Sequence, residues 1–138
     1  MPLKKWLDRN EVRVAARSDV GISRSENEDA FGHFTNRADG AAPEYLFVVA
    51  DGMGGHENGK EASQTAVRVV RDTFFGTPSE SVEERLRRSL QEANQRVFAL
   101  SDDEADVRRA GTTCTALAFV AGELYLAHVG DSRAYRIG

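Results

Sequence analysis

Apolar and polar positions along this chain change period several times, and each change marks an element. Val12, Val14 and Ala16 alternate with Arg13, Ala15 and Arg17, the period of two expected of a strand with one buried face. Residues 29–34 predict a second strand. Tyr45 to Ala50 is continuously apolar, as in a strand covered on both faces, and it runs into Asp51. Ala62, Ala66, Val69, Val70 and Phe74 recur at helical spacing and predict a helix over 60–75, stopped by Gly76 and Pro78. Ser81 with Glu84 has the form of a capping box. After it, Val82, Leu86, Leu90, Ala93, Val97 and Leu100 predict a second amphipathic helix. Strands over 112–120, 124–129 and 133–137 follow, linked by turns at Ala121-Gly122-Glu123 and Gly130-Asp131-Ser132.

The predicted order is therefore βββ-αα-βββ. Its short final links favour an antiparallel meander, so the class is α+β with two helices packed on one side of a sheet. This arrangement leaves a face unaccounted for. Thr113, Thr115, Leu117 and Phe119 point one way along their strand, and Cys114, Ala116, Ala118 and Val120 the other. Both sets are largely apolar, yet only one helix pair is available. The second face is expected to be covered by something else or to stand as an exposed apolar patch.

Composition narrows the function classes. The 138 residues suffice for one domain, read as an extension over 1–11 and a domain over 12–138. Charged residues make up 29% with a net charge of −4, which argues against a general nucleic-acid binder. No apolar run approaches the roughly 20 residues of a membrane span, and the first ten residues have no apolar signal core. A single cysteine, Cys114, cannot close an internal disulfide, so a cytoplasmic location is expected.

Candidate chemistry lies at the strand ends and turns. Glu28, Asp29, Asp51 and Asp131 are carboxylates at such positions, and four glycines follow Asp51 before residue 60. Clustered carboxylates without basic partners repel unless a cation sits between them. Hard oxygen donors without a His/Cys cluster select Mg2+ or Mn2+ over zinc. The alternative is that each is a turn-former or helix cap. Arg24 has two readings as well: a surface ion pair with Glu26 or Glu28, or a guanidinium fork for phosphate.

Four motifs occur together and in order: Arg-x-x-Asn-Glu-Asp at 24–29, Val-Ala-Asp-Gly-Met-Gly-Gly-His at 49–56, Gly-Thr-Thr at 111–113 and Val-Gly-Asp-Ser-Arg at 129–133. Together they resemble the amino-terminal motifs of the PP2C (PPM) metal-dependent serine/threonine phosphatases, the bacterial type in particular, across residues 12–138. The resemblance implies an antiparallel β-sandwich with flanking helices, here incomplete. It implies that Arg24 binds substrate phosphate, and that Asp51 bridges two Mn2+ or Mg2+ ions with the Gly52 carbonyl as a further ligand. Glu28 and Asp29 are implied to act from behind the ligands through water, and Asp131 to serve a third metal. The implied reaction is hydrolysis of a phosphoserine or phosphothreonine protein by metal-activated water, with neither Ser132 nor Cys114 as nucleophile. Met53 stands where animal relatives carry a histidine proposed as general acid, which leaves His56 as the nearby candidate.

The family's Ser-Asp-Gly and Asp-Asn motifs, which supply the remaining metal ligands, do not occur. The chain thus reads as an amino-terminal portion or a short relative, weak or inactive alone, and prone to self-association or to pairing with a complementary fragment. A catalytically degenerate module that binds phosphoprotein or a regulatory partner is the alternative. Two other readings are weaker, one on residue type and one on placement. Gly54 to Lys60 nearly spells a phosphate-binding loop, but Glu61 stands where Ser or Thr is required. Gly130-Asp-Ser-Arg133 has His128 nearby, as in a serine esterase, yet His128 falls within a strand pattern.

Overall fold

The structure is a computed structural model, described for residues 12–22, 26–37, 40–54, 56–100 and 110–138. Its elements are β1 (Asp29–Asn36), β2 (Glu44–Met53), α1 (His56–Gly76), α2 (Val82–Ala99), β3 (Gly111–Thr112), β4 (Cys114–Val120) and β5 (Glu123–Val129). The sheet is antiparallel in the order β1-β2-β4-β5, with β3 paired to the end of β2. The class is thus α+β with an antiparallel sheet and one helix pair. Among the described residues no helix is long and apolar enough to cross a membrane.

The helices form where the apolar period placed them. Ser81 caps α2, its side chain accepting the Glu84 amide at 3.2 Å, which satisfies one of the amides a helix start leaves open. Helix α1 begins at His56, four residues before the predicted start at residue 60. Ala62, Ala66, Val70 and Phe74 of α1 meet Leu86, Ala93 and Val97 of α2 over Leu46, Val48, Ala50, Cys114, Ala116 and Ala118 of the sheet. Small residues dominate the sheet side of this core, so the helices lie close to the strands. Burial pushes the Cys114 thiol up to about 11, because a thiolate there would be desolvated without a compensating charge.

The opposite sheet face is open. Phe31 (46% exposed), Val49 (51%), Leu124 (56%) and Leu126 (56%) lie on it, beside Phe47, Leu117 and Phe119 in register. This is the uncovered apolar face that the alternation along β4 predicts.

Two expected strands differ. Residues 12–16 and 133–137 form no ladder, and Val14, Tyr135 and Ile137 are exposed at 40%, 76% and 95%. Alternation supplies a face to bury, but a strand also needs a hydrogen-bonding neighbour, and no described strand offers these segments one. The observed order is ββ-αα-βββ because the expected strand over 112–120 is also split at Thr113. Strand β2 continues past Asp51 to Met53, since β3 pairs with Gly52 and Met53. The acidic stretch 101–106 and the extension 1–11 lie outside the described residues.

Candidate active site

The site forms where β1 and β2 meet the start of α1. Asp29 pairs directly with Asp51 across the β1–β2 ladder, so their side chains leave the same face about 5 Å apart at Cβ. Both line a cleft of about 490 Å³ with Ala15, Phe31, Val49 and Ser132. Like charges directly opposite each other destabilise a ladder. A divalent cation placed between them would offset that repulsion.

The approach to this pair is built from short-range contacts. Asn27 accepts the Asp29 amide through Oδ1 at 3.0 Å and donates through Nδ2 to Ser18 Oγ at 2.7 Å, tying the segment 12–20 to the cleft. The Gly52 amide donates to the Glu28 carbonyl at 3.1 Å. A Cβ on Gly52 would lie 1.9 Å from the Gly59 carbonyl oxygen, so glycine is required for β2 to pass against α1. The Glu28 carboxylate packs on Gly59 in the first turns of α1, where negative charge is favoured by the helix dipole.

On the other side, Thr113 ties Asp51 to the Gly130-Asp131-Ser132 turn. Its amide donates to the Asp51 carbonyl at 2.9 Å. The Asp51 amide donates in return to Thr113 Oγ1 at 3.0 Å, while the Thr113 carbonyl accepts the Thr112 hydroxyl at 2.7 Å. A side-chain hydroxyl therefore takes the place of a carbonyl in the ladder, which is why β3 and β4 are separate. Thr113 Oγ1 also lies 2.7 Å from Ser132 Oγ.

Of the expected site residues, the structure brings together Asp29, Asp51, Gly52 and Glu28. Asp131 sits on the exposed turn next to Ser132, which lines the cleft. Arg24 and the side chain of His56 lie outside what is described. Among the described residues no group of three or more His, Cys, Asp or Glu side chains could hold a metal. Asp29 and Asp51 put two hard carboxylates on one rim, donors of the type that could take part in holding a divalent cation such as Mg2+ or Mn2+ and unlike those of a zinc site. His128 bonds Thr115 through Nδ1 at 2.7 Å, while Ser132 bonds Thr113, so the two do not form a nucleophile and its base. Lys60 lies 4.0 Å from Glu26 at the start of α1, but the sheet is antiparallel, and a phosphate-binding loop requires a βαβ setting.

Sequence reasoning gave no site role to Asn27, Gly59 or Thr113, and it considered the Ser132 hydroxyl only as a nucleophile. Asn27, Thr113 and Ser132 all stand inside the quoted motifs, which was the available signal.

Residues 22–137 match the protein phosphatase 2C family. The chain is 37% identical over 123 residues to the serine/threonine phosphatase Stp of Listeria welshimeri, covering 86% of this chain and 47% of that protein. It is 36% identical over 124 residues to the serine/threonine protein phosphatase PstP of Mycobacterium tuberculosis, covering 90% and 22%. A crystal structure of the Mycobacterium tuberculosis phosphatase superposes with a TM-score of 0.69 at 35% identity, over 86% of this chain and 47% of that one. The catalytic domain of PstP in complex with two manganese ions gives the same TM-score and identity, over 86% and 48%. The chain spans about half the length, or less, of the curated relatives it matches.

Proposed function

The chain belongs to the protein phosphatase 2C family, and from that membership we propose that it carries one side of a metal-dependent serine/threonine phosphatase site. The observation that carries this reading is the Asp29–Asp51 pair, two carboxylates facing each other across a ladder at the rim of a cleft. Asp51 would hold the divalent cation, Mn2+ or Mg2+, with the Gly52 carbonyl as a further donor; Asp29, opposite it, and Glu28 would act from behind through water, and Asp131 would serve a third metal from its turn. A bound cation of this kind supplies activation of water and neutralisation of phosphoryl charge. The protein's part is placement. Asn27 and Thr113 fix the backbone on either side of the two carboxylates, and Arg24 receives a phosphoserine or phosphothreonine phosphate in its guanidinium fork. The cytoplasm is the compartment of this reading, where one reduced buried thiol is ordinary.

The partial donor set and the open apolar face point the same way: in the active assembly, further polypeptide covers the sheet and completes the site. Hydrolysis of a phosphothreonine peptide with Mn2+, run beside the PstP catalytic domain, tests this. The chain alone is expected to be slower by at least about 100-fold in kcat/KM, the scale seen when preorganised charge stabilisation is removed. Comparable turnover that is abolished by Asp51→Asn would contradict the partial-site reading. The partial set also favours a second reading, a phosphoprotein-binding module, which peptide binding without hydrolysis would support.

A further inference from the structure

We propose that Thr113 is a positioning residue whose hydroxyl couples Asp51 to the Gly130-Asp131-Ser132 turn, so that the two acidic positions share one frame. The geometry leaves this hydroxyl little freedom. Thr113 is 3% exposed, its Oγ1 accepts the Asp51 amide, and the same oxygen lies 2.7 Å from Ser132 Oγ. A hydroxyl has one hydrogen and two acceptor sites, so it can bond the amide and the serine at once; a valine of the same shape can bond neither. The turn is pressed onto the threonine as well. Gly130 has φ +103°, and a Cβ there would lie 2.6 Å from Thr113 Cγ2. A displacement of Thr113 is thereby passed to Asp51 through the backbone pair and to Asp131 through Gly130 and Ser132. Neither the Asp51 backbone nor the Gly130-Asp131-Ser132 turn can shift relative to the other without straining this linkage.

The linkage itself involves no metal; its consequence for metal binding rests on the phosphatase reading above. Amide exchange and resonance positions, measured by NMR in EDTA, test the first part. Thr113→Val is expected to speed exchange of the Asp51 amide at least about tenfold and to shift the Asp131 and Ser132 resonances, while Thr113→Ser retains both. Ser132→Ala removes only the outer partner. It is expected to shift the Asp51 amide resonance, because polarisation passes along a chain of hydrogen bonds. An unmoved Asp51 amide in both Thr113→Val and Ser132→Ala would overturn the coupling. For the second part, the affinity for Mn2+ is read by its EPR signal. Thr113→Val is expected to weaken binding about tenfold with recovery in Thr113→Ser, as for other groups that orient metal ligands. Wild-type binding that depends on Asp51 but is unchanged in folded Thr113→Val would overturn the positioning role. If wild-type binding does not depend on Asp51, the metal reading fails, and the EDTA experiment still decides the coupling.

Discussion

Gly52→Ala is expected to destabilise the chain by about 3 kcal/mol or more and to abolish ordered metal binding. The added Cβ would lie 1.9 Å from the Gly59 carbonyl oxygen, 2.5 Å from its carbon and 2.8 Å from the Glu28 carbonyl oxygen. All three are backbone atoms, so no side-chain rotation relieves the overlap. Relief requires α1 to move away from β2 or the 26–29 segment to move out, which breaks the Gly52–Glu28 bond. Either movement disturbs the start of β1 that carries Asp29. Gly59→Ala is the control. Its Cβ meets the end of the Glu28 side chain at 2.8 Å, which can shift, and alanine gains up to about 1 kcal/mol over glycine within a helix. Urea midpoints for the two variants are expected to differ widely, with Gly52→Ala far lower. Equal midpoints would show that β2 and α1 are not in this close register.

Arg85→Ala is expected to cost about 3–5 kcal/mol, the range for removing one partner of a buried ion pair. Arg85 is 3% exposed. It bonds Glu44 through Nη1, donates from Nε to the Phe74 carbonyl at 2.9 Å, and lies 4.1 Å over the Phe74 ring. One side chain thus joins the start of β2, the end of α1 and the first turns of α2. Removing it leaves Glu44 and the Phe74 carbonyl without their cationic partner and opens a cavity beside the ring. Nη2 is buried without a hydrogen-bond partner, so the wild-type arrangement already carries an unmet donor. The double change Arg85→Met with Glu44→Leu is accordingly expected to lie within about 1 kcal/mol of wild type or above it. Denaturant titration of the single and double variants checks both. A single variant as stable as the double would mean that the ion pair contributes little.

The parts of this fold that were legible in sequence are those set by periodic burial. The α1 and α2 stripes, the Ser81 cap and the two apolar faces of β4 follow from local spacing, and each is as the spacing predicts. The segments 12–16 and 133–137 have an equally good alternation and form no strands, because alternation does not specify a neighbour. The break at Thr113 was invisible for a related reason: it arises from a hydroxyl replacing a carbonyl opposite Asp51, a contact between positions 62 residues apart. At the site, Asp51 stood out as a carboxylate ending an apolar run. Its pairing with Asp29 is a matter of register, which no single segment encodes. Arg85 reads as an ordinary charged residue on a helix; its burial depends on Glu44, 41 residues away, and on Phe74, 11 residues away on the preceding helix.

If the Asp29–Asp51 rim is a divalent-cation site, binding of Mn2+ depends on Asp51. The most direct test is a titration of the chain with Mn2+ followed by EPR, for wild type and Asp51→Asn, with folding of both checked by circular dichroism. Wild type is expected to bind at least about tenfold more tightly than the variant, on the scale of changes made at or around metal ligands. Equal binding by the two folded proteins would contradict it.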